Sequence, residues 1–352
     1  MNSASSMATI ASTPSNCCAT PPPPRRPATA RGAPPRDAPI HDVLTHVWQS
    51  AEQLCGQRLV RALPLWLPHY AKHFSSRLPT QHKLLRAVRA ATVDRLLADQ
   101  RAASARGLSG TKPGSLLRAQ IPIQGEVWNQ QRVGFLEADS VAHGGGSLAG
   151  DCVWSLTDTD LACTWTAGRA GWNKGAAGVL AQTRDVESRR PVAVRGFDCD
   201  NGGEWLNWHL LRFLQQPRLG VGVWVSRSRP DHKDDNAHVE QKNWMWPRQL
   251  LGDGRRSAPH VVPLINAVST AIWEPLQNFF LPSLKLREKW RAGSRWVRRH
   301  DEPPTAYHRL LASRQISQKQ RHRLRDQYES LDPFALAQQL EKRRAPLLRT
   351  AT

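Results

Sequence analysis

No apolar run in the 352-residue chain approaches the roughly 18–20 residues of a membrane-spanning helix, so no membrane span is expected. Cysteine is scarce. Of the six, Cys17 and Cys18 are neighbours, while Cys55, Cys152, Cys163 and Cys199 stand far apart. With no CxxC pair, neither a zinc knuckle nor a disulfide framework is indicated. No HExxH pair occurs among the 13 histidines, and the Gly144–Gly146 run lacks the following GK(S/T) of a nucleotide-binding loop. Acid is short throughout, and residues 1 to 36 contain no Asp or Glu at all. That segment is crowded with Ser, Ala, Thr and Pro, and the Pro21–Pro24 run forbids the amphipathic helix of an organelle transit peptide. No apolar stretch follows the start as in a secretory signal. The composition predicts a disordered segment over 1–39 and a cytoplasmic protein with reduced thiols.

What the chain does hold is positive charge. Lys and Arg total 49 against 29 Asp and Glu, giving a formal net charge of +20 and a pI near 10.7. Arginine, with its planar fork of donors, far outnumbers lysine, which favours bidentate phosphate contacts. A field of this sign fits a polyanion, nucleic acid before an anionic membrane surface. Hydrophobic residues make up 40%, including 14 Trp, enough for a sizeable core.

Periodicity divides the chain. Residues 40–109 read as helical, with apolar positions around Val43–Trp48 and Leu59–Leu67, the latter broken by Pro64 and Pro68. The stretch 84–98 reads as two short helices with small residues at the joint and suits a helix-turn-helix, in which Arg86, Arg89 and Arg95 would face DNA. An ordinary helical hairpin with a basic solvated face is the alternative. A Gly/Ser-rich linker follows, and over 110–255 the period changes to that of strands. Strands are predicted at Val133–Asp139, Cys152–Thr157, Thr164–Arg169, Pro191–Phe197 and Val221–Ser226. Helices fall at Asn173–Glu187, Trp205–Gln215 and Asn236–Leu251. This is an α/β pattern, a mixed sheet covered by helices. Residues 256–352 read as a basic, mainly helical C-terminal region.

Three carboxylates fall at element ends, where an open α/β sheet builds its site. Asp139 closes the first strand, Asp200 follows the fourth at a Gly-rich turn, and Glu240 lies in the last helix. Three converging carboxylates need cations, and hard Mg²⁺ or Mn²⁺ suits oxygen ligands. Glu137, two residues before Asp139, is expected on the same face of the strand. Asp158 and Asp160 read as turn formers. Each carboxylate alone is equally a turn or surface residue; their joint placement carries the reading.

The local sequence around them is specific. Asp200–Asn201–Gly202–Gly203–Glu204–Trp205 resembles the DNG-x-E-(F/W) segment of insertion-sequence transposases with a retroviral-integrase-like core. The segment 235–244 resembles that core's third motif, and Phe135–His143 its first. The resemblance extends from about residue 40 to 315, through Gly110–Gly114 and Ile121–Ile123 before the core and Phe279–Leu311 after it. It implies a ribonuclease H-like mixed-sheet catalytic core, with Asp139, Asp200 and Glu240 as the catalytic and metal-holding triad. It further implies Mg²⁺ or Mn²⁺, DNA cleavage and strand transfer, and double-stranded DNA partners (element ends and target). A homo-oligomer assembled on DNA and a nucleoid-associated location follow from the same resemblance. Lys242 is assigned to a DNA phosphate, and Asn236 and Asn243 to positioning. The chain departs from the pattern at its Pro/Ala/Arg-rich start and around Gly168–Trp172 and Gly220–Gly222. An inactive DNA-binding remnant, or a nuclease that cuts without joining, therefore stands as the alternative.

Overall fold

The computed structural model describes residues 38–74, 84–103, 132–147, 149–199, 205, 207–216, 222–227, 244–292 and 295–351. The segment 1–37, the linker 104–131, and Asp200, Asn236, Glu240, Lys242 and Asn243 lie outside them. Residues 39–352 form one compact unit. No helix among the described residues is long and apolar enough to cross a membrane.

The chain opens with α1 (Ala38–Ser50) and α2 (Gly56–His73). The sequence predicts a break at Pro64 and Pro68, but α2 runs through both. The two prolines are four residues apart on the exposed face, while Leu59, Leu63, Trp66, Leu67 and Tyr70 are buried on the other. Each interior proline costs about 3 kcal/mol, and burial of that apolar face outweighs it. A helical turn at 84–87 follows, then α3 (Ala90–Leu96) and α4 (Ala98–Ala103). The joint of the expected helix pair is extended backbone at Arg89, with ψ 151°, just ahead of the small Ala90–Ala91. Gly56 lets α2 and α3 touch: its amide donates to Asp94 Oδ1 at 2.9 Å, where a Cβ would lie 2.6 Å from the Ala90 carbonyl oxygen.

The α/β reading holds. A five-stranded mixed sheet is built from β1 (Phe135–Ala142), β2 (Val153–Asp160), β3 (Thr166–Trp172), β4 (Gly196–Cys199) and β5 (Trp224–Arg227). Its order is β3-β2-β1-β4-β5, antiparallel across β3, β2 and β1 and parallel across β1, β4 and β5. Helices α5 (Ala176–Arg189) and α6 (Trp208–Gln215) supply Val179, Val186, Leu210 and Leu214 to one face, against Leu136, Ala138, Leu156, Ala167, Phe197 and Cys199.

A second core joins the two ends of the chain. It holds α1 to α3, the edge of β3, and the region after the sheet: α7 (Val261–Val268), π-helical stretches Ser269–Trp273 and Leu276–Phe280, and α8 (Ala306–Ala312), α9 (Gln318–Glu329) and α10 (Pro333–Arg349). Trp66 Nε1 donates to the Phe280 carbonyl at 3.1 Å, and Glu52 pairs with Arg344 at 2.6 Å. The expected 40–109 and 256–352 regions thus share one core. The C-terminal region also contains an unexpected hairpin, β6 (Leu286–Ala292) and β7 (Arg295–His300).

Candidate active site on the polar face of the sheet

Strand alternation sends successive side chains to opposite faces. On β1, Leu136 and Ala138 enter the apolar core, so Glu137 and Asp139 take the other face, as the sequence implies. Register extends this polar face sideways. Glu137 stands between Thr159 of β2 and Asp198 of β4, and Asp198 lies beside Ser226 of β5. Asp139 is opposite Thr157, and Thr157 is opposite Gly168.

Burial grades along this face. Glu137, Thr159, Asp198 and Ser226 are all 3% exposed or less, whereas Asp139 is half-buried. The Ser226 hydroxyl donates to Asp198 Oδ1, and Asp139 Oδ1 accepts the Ser140 amide at 2.7 Å. Asp139 is the accessible carboxylate of this face, while Thr157 and Gly168 beside it are buried. Asp139 lies inside β1 instead of closing it, because the ladder with β2 continues to Ala142–Trp154.

Cys199, the last residue of β4, is in register with Ala138, and Asp200 is the next residue in the sequence. On the opposite side of β1, Trp246 is fully buried against Gly168. A Cβ at Gly168 would stand 2.8 Å from the Trp246 ring. Trp246 belongs to the π-helical turn Trp244–Arg248 and also packs edge-on against Trp273, with centroids 5.9 Å apart. Trp246 follows Glu240 by six positions in the sequence, and Trp246 itself packs on the Asp139–Thr157–Gly168 row. The sequence offers Trp246 only as one of 14 Trp available for a core, with no local signal for this position.

Substituting Gly168 with Ala forces the ring to shift and is expected to cost about 1–3 kcal/mol. A thermal melt checks this; an unaltered melt would show the packing there to be slack.

Asp160 acts as a turn former: Oδ1 accepts the Ala162 and Cys163 amides at 2.9 Å each, and Oδ2 the Gly134 amide at 2.7 Å. Asp158 does not. It lies within β2, beside Ala138, and is ion-paired to Arg190 at the end of α5. His143, just beyond β1, binds Ser155 Oγ at 2.8 Å. Burial, with Arg256 and Arg248 nearby, pushes its pKa down to about 3, so it stays neutral and is no proton donor near pH 7.

Arg86, Arg89 and Arg95 are exposed, on the helical turn 84–87, the extended joint and α3. Among the described residues no three His, Cys, Asp or Glu side chains are grouped to hold a metal ion. Of the expected triad, only Asp139 lies among them.

No family profile matches the chain. Over 277 residues, 75% of this chain and 75% of the other, it is 35% identical to "Uncharacterized protein y4rM" of Sinorhizobium fredii (strain NBRC 101917 / NGR234).

Proposed function

We propose that this chain, which belongs to the family of the Sinorhizobium fredii protein y4rM, is a ribonuclease H-like polynucleotidyl transferase that cuts and joins DNA. The observation that carries the reading is the polar face itself. Asp139 is its accessible carboxylate, β4 runs parallel beside β1, and Trp246 packs on the Asp139–Thr157–Gly168 row. The sheet order, with three antiparallel strands followed by two parallel ones, is compatible with that fold. The three motifs occur in order along the sequence.

Oxygen donors without thiol or imidazole in the row fit a hard divalent cation such as Mg²⁺ or Mn²⁺. Asp139, Asp200 and Glu240 would hold it. When bound, such ions activate an attacking oxygen and stabilise a leaving oxygen of a phosphodiester. Lys242 offers a cation to the DNA phosphate, and Asn236 and Asn243 offer amides that orient the strand. Water opens the phosphodiester at an element end, and the freed 3′-hydroxyl attacks target DNA. The partner is double-stranded DNA, engaged by a homo-oligomer in a nucleoid-associated setting.

The test is strand transfer by the full chain, using a labelled duplex that carries a candidate terminal repeat, a plasmid target and Mg²⁺. Joined product is expected. Hydrolysis without joining would reduce the protein to a nuclease, and neither product would leave an inactive remnant.

A further inference from the structure

The hairpin β6–β7 has a composition that packing does not explain. Residues 286–300 carry six Arg or Lys (Arg287, Lys289, Arg291, Arg295, Arg298 and Arg299) against one acid, Glu288, together with Trp290 and Trp296. A two-stranded hairpin in water is marginal by itself. The two strands pack chiefly on each other. Trp290 is 44% exposed, and Glu288, Arg291, Arg299 and His300 are exposed as well. The backbone register pairs Lys289 with Arg298, Arg291 with Trp296, and Ala292 with Arg295, so two basic residues share one register position. Like charges directly opposite are unfavourable. The Arg299–Glu288 pair, at 3.6 Å and open to water, offsets little of that.

The base of the arm, by contrast, is clamped. Lys285 and Asp301 exchange backbone and side-chain bonds: the Lys285 amide donates to Asp301 Oδ1 at 2.8 Å, and the Asp301 amide to the Lys285 carbonyl at 2.9 Å. Arg309 holds Asp301 Oδ2 at 2.5 Å, and Lys285 Nζ donates to the Leu161 carbonyl at 2.6 Å. The root thus rests on the β2–β3 turn. Beside it opens a cleft of about 980 Å³, lined among others by His300, His308, Arg309 and the exposed Arg314.

We infer that the β6–β7 hairpin is an arm that binds the phosphate backbone of duplex DNA, held at a fixed angle by the Lys285–Asp301–Arg309 clamp. At about 3.3 Å per residue the arm is roughly 20 Å long, and a two-stranded ribbon fits the major groove. Five of its six cations are arginine, the residue suited to bidentate phosphate contact. An anionic bilayer would want a larger apolar face than a hairpin with six basic residues among fifteen offers. The choice of DNA as partner rests on the function proposed above, whereas the arm's binding does not depend on catalysis.

The experiment measures affinity of the full chain for a 30-base-pair duplex by fluorescence anisotropy in chelator across a salt series, so loss of cleavage cannot masquerade as loss of binding. An Arg291→Gln/Arg298→Gln/Arg299→Gln variant should bind about 10- to 100-fold more weakly. Its log K against log salt slope should become shallower by about 0.9 for each phosphate that the variant no longer neutralises. Glu288→Gln, which removes the arm's one acid without disturbing a buried group, should bind about two- to threefold more tightly. Opposite shifts in the two variants exclude misfolding as the cause. Unchanged affinity and slope in the triple variant overturn the inference. So does capture by phosphatidylglycerol vesicles that the triple variant loses while its duplex affinity stays intact. An Arg86→Ala/Arg89→Ala/Arg95→Ala variant that alone accounts for the whole salt slope would likewise overturn it.

Discussion

The Asp139→Asn protein is expected to lose DNA cleavage by about 1000-fold while binding duplex DNA within about twofold of the parent. Asn is nearly isosteric and keeps an oxygen for the Ser140 amide, so β1 remains paired through Ala142. What disappears is one negative charge, that of the accessible carboxylate on the polar face. If that charge contributes about 4 kcal/mol of transition-state stabilisation through a bound cation, tenfold per 1.36 kcal/mol gives the stated loss. Affinity survives because it comes from dispersed phosphate contacts. Asp200→Asn and Glu240→Gln should behave in the same way. The neighbouring carboxylates make the test sharp. Glu137 and Asp198 occupy the adjacent, deeper row and are almost fully buried. Should Asp198→Asn abolish cleavage while Asp139→Asn leaves it intact, the catalytic row is one step further along the strands than proposed.

Much of the sheet was legible because strand-like runs recur between turn signals, and all five strands occur in the expected order. The boundaries were displaced by one to five residues toward the C-terminus. Gly134 explains the first: its φ of +98° makes a turn where a Cβ would stand 2.5 Å from the Ala193 carbonyl oxygen, so the strand begins only at Phe135. The single-residue pattern around Val133 does not reveal such a turn. The β6–β7 hairpin carried a usable signal, since Gly293–Ser294 is a two-residue turn signal between strand-like runs containing Trp and Val. The density of arginine obscured it. Likewise His69 and His73, four apart on α2, were passed over. The structure sets His73 Nε2 3.1 Å and His69 Nδ1 3.4 Å from Asp332, the N-cap of α10. A residue 259 positions away is invisible to local pattern. The same reason hid the common core of α2 and the C-terminal helices.

The candidate site was legible in a different way. Nothing local marks Asp139 as special among 29 acids; only the three ordered motifs single it out. The structure adds what sequence lacks, namely which carboxylates share a face and how deep each lies. Ser226, Thr157 and Trp246 became relevant only through cross-strand register.

Support for that face from below should be equally testable. Removing either partner of the Asp158–Arg190 pair is expected to destabilise the protein by about 3–5 kcal/mol. Both side chains are at most 4% exposed, Asp158 neighbours Ala138 on β1, and Arg190 ends α5, so the pair ties helix to sheet directly beneath the Asp139 row. Loss of one partner strands the other in a medium where few groups can answer it. The Arg190 guanidinium already has a buried Nε without a partner among the described residues, although its fork also reaches the Trp165 carbonyl at 3.3 Å. Replacing both, as in Asp158→Leu/Arg190→Met, should cost far less than the sum of Asp158→Leu and Arg190→Met. A urea double-mutant cycle measures this, and simple additivity would mean the two do not interact. Burial raises the Asp158 pKa to about 6, despite the opposing pull of Arg190. Because that value lies above the unfolded one near 3.8, the folded state holds the proton longer than the unfolded state does. The proton-linked part of Asp158's contribution is therefore full below pH 3.8 and lost as pH rises through about 6, above which the ion pair with Arg190 is what remains. The stability of the parent relative to Asp158→Leu should fall across that window. A parent advantage that instead grew with pH would show that attraction to Arg190 outweighs the burial of Asp158.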